Sequence, residues 1–133
     1  MIILDENVLR ESICAAIARW YTGRVRFISD LRLNSVIKDE AIPGLLMSER
    51  QPTFVTTNTT DFSQRVAPHP RYCVVCLTLP NERQDEIPDS LRRLFRMPAF
   101  RTKAARMGNV VRAAPTFLQF HRVGDNTVHT VPW

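Results

Sequence analysis

The sequence predicts an α/β protein with a mostly parallel central sheet, helices on both of its faces and a C-terminal β-hairpin. Three observations carry that expectation. Ile2-Ile3-Leu4 is an unbroken apolar run, the pattern of a strand buried on both faces with helices above and below. The first forty residues read as strand, helix, strand, which implies a right-handed parallel unit. Gly124-Asp125-Asn126, between two candidate strands, is a strong turn signal.

Taken in order, the first strand stops abruptly at Asp5-Glu6-Asn7. Val8, Leu9, Ile13, Ala16, Ile17 and Trp20 then recur at helical spacing, with Arg10, Glu11 and Arg19 left for other faces, and Gly23 suits the helix exit. Residues 25–28 form the second expected strand. Residues 31–38 are a connection with no assigned element. A second helix opens at or near Asp39, and that start explains Pro43, because in a first turn proline forfeits only an N–H without an intrahelical partner. The β-branched run 53–57 is the third strand, and residues 58–62 are a polar turn opening a short helix that stops before Pro68. Residues 72–79, apolar almost throughout, form the fourth strand and end at Pro80. Residues 83–107 hold one or two helices interrupted at Pro98. Residues 116–123 and 127–131 flank the turn as the hairpin. No repeat, low-complexity tract or linker divides the chain. The expectation is one domain, 1–133, with an α/β core at 1–80, a basic helical segment at 81–112 and the hairpin at 116–131.

A hydrophobic fraction of 44% and a charged fraction of 23% are ordinary for a soluble globular domain. No run reaches the length of a membrane-spanning helix, and no basic region precedes an apolar stretch at the start, so neither a membrane span nor a signal peptide is expected. Cys14, Cys73 and Cys76 make an odd number without a disulfide framework, which suits a reducing cytoplasm. The net charge of +5 is unevenly placed. Residues 1–89 carry 10 Lys and Arg against 12 acids, whereas residues 90–133 carry 8 against 1, with no acid between Ser90 and Gly124. Acids early and arginines late is the pattern of metal ligands and a polyanion-binding surface divided between two parts of one chain.

The acids recur at similar places. Asp5 ends the first strand, Asp39 opens a helix and Asp61 lies just past the third strand. Ligands of open α/β sheets bind beyond the carboxyl ends of the strands. Carboxylates converging there repel one another unless a cation sits between them, and hard oxygen ligands select Mg²⁺ or Mn²⁺. Such an ion can activate water and steady an in-line attack on a phosphodiester. The competing reading is that each acid caps its own helix and needs no metal.

Ile3-Leu4-Asp5-Glu6-Asn7, Asp39-Glu40-Ala41-Ile42 and Phe54-Val55-Thr56-Thr57-Asn58-Thr59-Thr60-Asp61-Phe62 together resemble the small PIN-like domains, and the closing hairpin with Val131-Pro132 is similar to how those proteins end. The resemblance covers residues 1 to about 80 and weakens through the arginine-rich stretch. It implies a metal-dependent ribonuclease, with RNA as substrate and an antitoxin protein as the partner of a toxin–antitoxin pair. Asp5, Asp39 and Asp61 would be the catalytic and metal-ligating acids, and Asn7, Thr57 and Asn58 would support them. One departure is that Thr59 stands where the family commonly has a further Asp; the Asn58 side-chain carbonyl is the available substitute. That loss keeps open a catalytically weak module that binds nucleic acid or a protein partner. Oligomer formation is left open too.

Leu91, Leu94, Phe95 and Phe100 supply the apolar positions that would pin the basic segment to the body. Arg92, Arg93, Arg96, Arg101, Lys103 and Arg106 are then expected outward, as a track for a phosphate backbone, against the plainer reading of a solvated helical face. Cys73 and Cys76, with His69 ahead, raise zinc, but three residues apart in a strand they point to opposite faces. Cys14 reads as structural. His121 and His129 face each other across the hairpin if Val123 pairs with Thr127, as a switch, as ligands or simply as surface residues.

Overall fold

The computed structural model describes residues 1–8, 10–32, 37–57 and 66–133. β1 (Ile2–Leu4) lies between β2 (Val25–Phe27) and β3 (Thr53–Thr56), parallel to both. β4 (Cys73–Leu77) and β5 (Asn109–Ala113) extend the parallel part beyond β3. β6 (Phe117–Arg122) and β7 (His129–Pro132) continue it antiparallel, giving the order β2-β1-β3-β4-β5-β6-β7. The chain is therefore α/β with a mixed sheet, parallel across its first five strands. β1 is interior, as its lack of a polar face requires.

Side chains alternate across a strand, and two apolar clusters result. Ile2 and Leu4 point to the face covered by α1 (Glu11–Ala18) through Ile13 and Ile17. The long amphipathic helix (Ile87–Arg96) buries Ile87, Leu91, Leu94 and Phe95 in the same cluster. Ile3 and Phe54 point to the other face, beneath Ile42 and Leu46 of α2 (Ile42–Met47). We call the amphipathic helix α3, and the last short one α4 (Lys103–Arg106). Burying an aliphatic side chain of this size stabilises by about 1.5–3 kcal/mol. Burial on both faces, more than strand propensity, therefore holds the three residues of β1. No described helix is long and apolar enough to cross a membrane.

Several expectations change in detail. The chain makes a 3₁₀ turn at Glu6–Val8, closed by the Val8 N–H on the Asp5 carbonyl at 2.9 Å, and is extended at Arg10 before α1 begins. α1 is accordingly shorter than the spacing of apolar residues suggests. Gly23 is no left-handed helix exit; a Cβ there would lie 2.7 Å from the far end of the Tyr21 side chain, which would have to move aside. The start at Asp39 is observed, as a 3₁₀ turn (Asp39–Ala41) leading into α2 with Pro43 in its first turn.

The largest correction is β5, which takes up the last residues of the stretch 81–112 expected to be a basic helical segment. Asn109 to Ala113 is short and interrupted by Arg112, so its strand state is decided by pairing with β4 on one side and β6 on the other. The hairpin forms, but one residue out of the expected register. His129 lies opposite Phe120 and stacks on it at 5.3 Å, so His121 points to the other face. The turn sets this register: Gly124 takes φ 79°, and Asp125 accepts from the Thr127 N–H at 2.8 Å and pairs with His129 at 2.8 Å. Cys73 and Cys76 enter opposite clusters, as alternation predicts, and burial pushes each thiol up to about 12.

Candidate active site at the carboxyl edge of the sheet

The strand order 2-1-3-4-5 has its topological switch point between β1 and β3. The connection after β1 carries α1 to one face, and the connection after β2 carries α2 to the other. Open α/β sheets bind their ligands beyond the carboxyl ends of the strands at such a point. Asp5 follows β1 at this point, and its neighbour across the pairing is Thr56, at the end of β3.

Asp5 is half-buried and held on both oxygens. Oδ1 accepts the Glu6 N–H at 2.7 Å and Oδ2 accepts the Thr56 hydroxyl at 2.7 Å. Its own N–H donates to the Val55 carbonyl at 2.9 Å. Burial raises its pKa above the ordinary 3.8; the Thr56 and Glu6 hydrogen bonds oppose that rise, and the negative charges of Asp39 and Glu6 add to it. Asp39, half-buried at the start of its 3₁₀ turn, is thus within electrostatic reach of Asp5.

The capping reading holds for Asp5 only at the single 3₁₀ turn Glu6–Val8, whose first N–H its side chain accepts, and not at the helices. The N-cap of α1 is Arg10, and those of the two turns at 39–47 are Lys38 and Ala41, none with a side-chain cap bond. Through Thr56, Asp5 also fixes the junction of two strands.

Asn7 is exposed, and it is its backbone carbonyl that the fold uses, accepting the Gln84 amide at 2.7 Å. Thr57 directly follows β3 and is half-buried. Asp61, Asn58 and Thr59 lie outside the described residues, so the expected triad is described only as Asp5 and Asp39. Among the described residues, no three His, Cys, Asp or Glu side chains gather closely enough to hold an ion. The two described acids nevertheless suit a hard divalent cation: burial first, and the Asp39 charge in addition, raise the Asp5 pKa, and each Asp5 oxygen keeps acceptor capacity beyond its one hydrogen bond.

Three contributors escape the sequence reading. Thr56 orients Asp5. Cys76, paired with Thr56 in register, lies close enough to feel the Asp5 charge. Gln84, 4% exposed, ties the turn after β1 to the 3₁₀ turn Asn81–Glu86. Only Thr56 had a signal, its place opposite Asp5 in two parallel strands.

The basic segment divides. Arg92, Arg93, Arg96, Arg101 and Lys103 are exposed, and among the described residues none has a carboxylate at ion-pair distance. Arg106, expected outward, is buried at 5% exposure. Its guanidinium lies 3.9 Å from the Phe95 ring centroid and donates to the carbonyls of Phe100 at 2.9 Å and Arg101 at 3.3 Å. Helix α4 turns it inward to close the end of the 98–101 turn, so it is unavailable to a ligand.

The Asp5 environment fixes a sign for pH. A carboxyl whose folded pKa is raised contributes stability that is fully present below the unfolded value of 3.8 and lost as pH rises through the folded value. Without metal, Asp5→Asn is therefore expected to melt higher than the wild type at neutral pH, with the difference vanishing below about pH 3. Melting curves across pH 3–8 in EDTA measure it. A pH-independent difference would show that burial of the charge is not the cause.

Comparison with protein-family models, curated proteins and solved structures gives no match to this chain.

Proposed function

We propose that this chain is a PIN-like, Mg²⁺- or Mn²⁺-dependent ribonuclease, with Asp5, Asp39 and Asp61 holding the ion. The observation that carries the reading is Asp5 at the switch point, fixed by Thr56 and Glu6 and facing the charge of Asp39. When bound, a divalent ion supplies charge neutralisation and Lewis acidity at a phosphodiester. The chain's own part is to hold the acids ready. Thr56 and Glu6 fix the Asp5 carboxylate before any ligand arrives, so its orientation costs nothing on binding. Arg92, Arg96, Arg101 and Lys103, exposed and free of neighbouring carboxylates among the described residues, serve as phosphate contacts along the strand. A toxin role, with an antitoxin protein as partner, belongs to the same proposal, as does a cytoplasmic location.

The test is cleavage of single-stranded RNA in Mn²⁺ against EDTA. Cleavage that persists in EDTA overturns the metal-dependent reading. A module that binds RNA or a protein without cutting is the second reading, favoured by Thr59 in place of an acid and by the use of both Asp5 oxygens inside the fold. It predicts RNA binding without Mn²⁺-dependent cleavage.

The arginine surface has its own expected result. Each phosphate contact adds about 0.7 to the magnitude of the salt slope for a single strand. Arg92→Glu with Arg96→Glu should weaken binding across all sequences and flatten log K against log salt, while the Mn²⁺-induced rise in melting temperature is retained. Unchanged affinity and slope would make these residues ordinary surface charge.

A further inference from the structure

A cavity of about 140 Å³ opens at the carboxyl ends of β4 and β5, on the α3 side of the sheet. Its rim carries Thr78, Arg83, Glu86, Ser90, Arg93 and Trp133. Strands lie about 4.8 Å apart, so this cavity sits roughly 12 Å from Asp5 along the same edge. The turn Asn81–Glu86 joins the two places: Gln84 is anchored on the Asn7 carbonyl beside the acids, while Arg83 and Glu86 of the same turn face the cavity.

The chemistry of the rim is selective. Arg83 and Glu86 form a bidentate pair at 2.5 and 2.8 Å and cancel each other's charge. Arg93 has no carboxylate partner among the described residues, and its guanidinium carbon lies over the Trp133 indole, 4.3 Å from the centroid. Trp133 is itself fixed by its ring N–H on the Ala114 carbonyl at 2.7 Å. The rim side chains therefore present one net positive charge, on the Arg93 guanidinium held over the indole. A phosphodiester carries one negative charge, and unstacked bases rest on aromatic rings or guanidinium planes. A cavity of about 150 Å³ takes a benzene-sized ring.

We propose that this cavity is a nucleotide subsite for single-stranded RNA, taking a single-ring base beside Arg93 and Trp133 with its phosphodiester on the Arg93 guanidinium. The subsite rests on the ribonuclease reading for the identity of the strand, and it would place pyrimidines at a fixed distance from the acids. Ser90 and Arg93, three residues apart, share the face of α3 that lines it.

The experiment reads binding, in EDTA, of fluorescent oligouridylate and oligoadenylate of equal length, by anisotropy. Ser90→Trp fills the cavity without removing a charge, and Arg93→Ala removes the platform. Each is expected to weaken oligouridylate about tenfold or more and to erase its advantage over oligoadenylate. Arg101→Ala, away from the cavity, should weaken both oligonucleotides equally and leave their ratio intact. Circular dichroism melts confirm that each variant is folded. Oligouridylate binding unchanged in Ser90→Trp overturns the subsite, whatever the cleavage assay gives. If Ser90→Trp costs tenfold in binding while the wild type shows no Mn²⁺-dependent cleavage, the subsite stands and the ribonuclease reading falls.

Discussion

Asp5→Asn is expected to remove the Mn²⁺-induced rise in melting temperature and to lower RNA cleavage by more than about 100-fold. Loss of even an outer-shell partner of a metal site costs about 10–100-fold, and Asp5 is proposed as a direct ligand. At Mn²⁺ about 100 times its Kd, a site binding only the folded chain adds about 2.7 kcal/mol to stability. Asparagine is close in size, and the Thr56 hydroxyl can turn from donor to acceptor, so the fold should survive. Asp61→Asn should behave the same way in both assays. An Asp5→Asn protein that still gains stability from Mn²⁺ and cuts RNA at the wild-type rate would remove Asp5 from the mechanism. The variant's own gain in metal-free stability at neutral pH separates loss of a ligand from loss of structure.

Arg106→Ala is expected to destabilise the domain by about 2–4 kcal/mol, a fall in melting temperature on the order of 10 °C. The guanidinium satisfies the carbonyls of Phe100 and Arg101, and its stem and plane fill the space over Phe95. Alanine leaves a cavity and a buried carbonyl without its donor. Arg106→Met should cost much less. It keeps most of the volume and removes a buried cation whose Nε has no partner among the described residues and whose pKa burial lowers. RNA binding per folded molecule should be unchanged in Arg106→Met, in contrast to the exposed arginines. Equal loss in the alanine and methionine variants would assign the role to the guanidinium's donors and charge instead of packing, since methionine fills the space but donates to neither carbonyl.

What the sequence made legible follows from which interactions are local. Ile2-Ile3-Leu4 and Cys73 to Leu77 could be read as buried strands because no residue in them tolerates water. Pro43 located its helix start because a first turn is where proline costs least. β5 was not legible, since Asn109 to Ala113 becomes a strand only when β4 and β6 pair with it. Arg106 was misread for a related reason. Sequence spacing gives the face a residue occupies, but the helix break at the extended Met97, followed by the 3₁₀ turn Pro98–Phe100, decides what that face meets. At the site, Asp5 was legible from the abrupt end of its strand, and the hydroxyl that orients it became visible only with the pairing of β1 and β3.

The two outermost strands of the sheet carry a consequence for assembly. An open strand edge is a template onto which another chain can add its own strand. β2 offers only three residues on its outer side. On β7, the Trp133 N–H turns inward to the Thr116 carbonyl, so alternation directs Pro132 outward, where it has no N–H to give. Both rims are blunted against strand-to-strand growth, one by brevity and one by a missing donor. Thr130 is left as the outward N–H donor within β7, so a strand added there would find one ladder donor where a longer edge offers several.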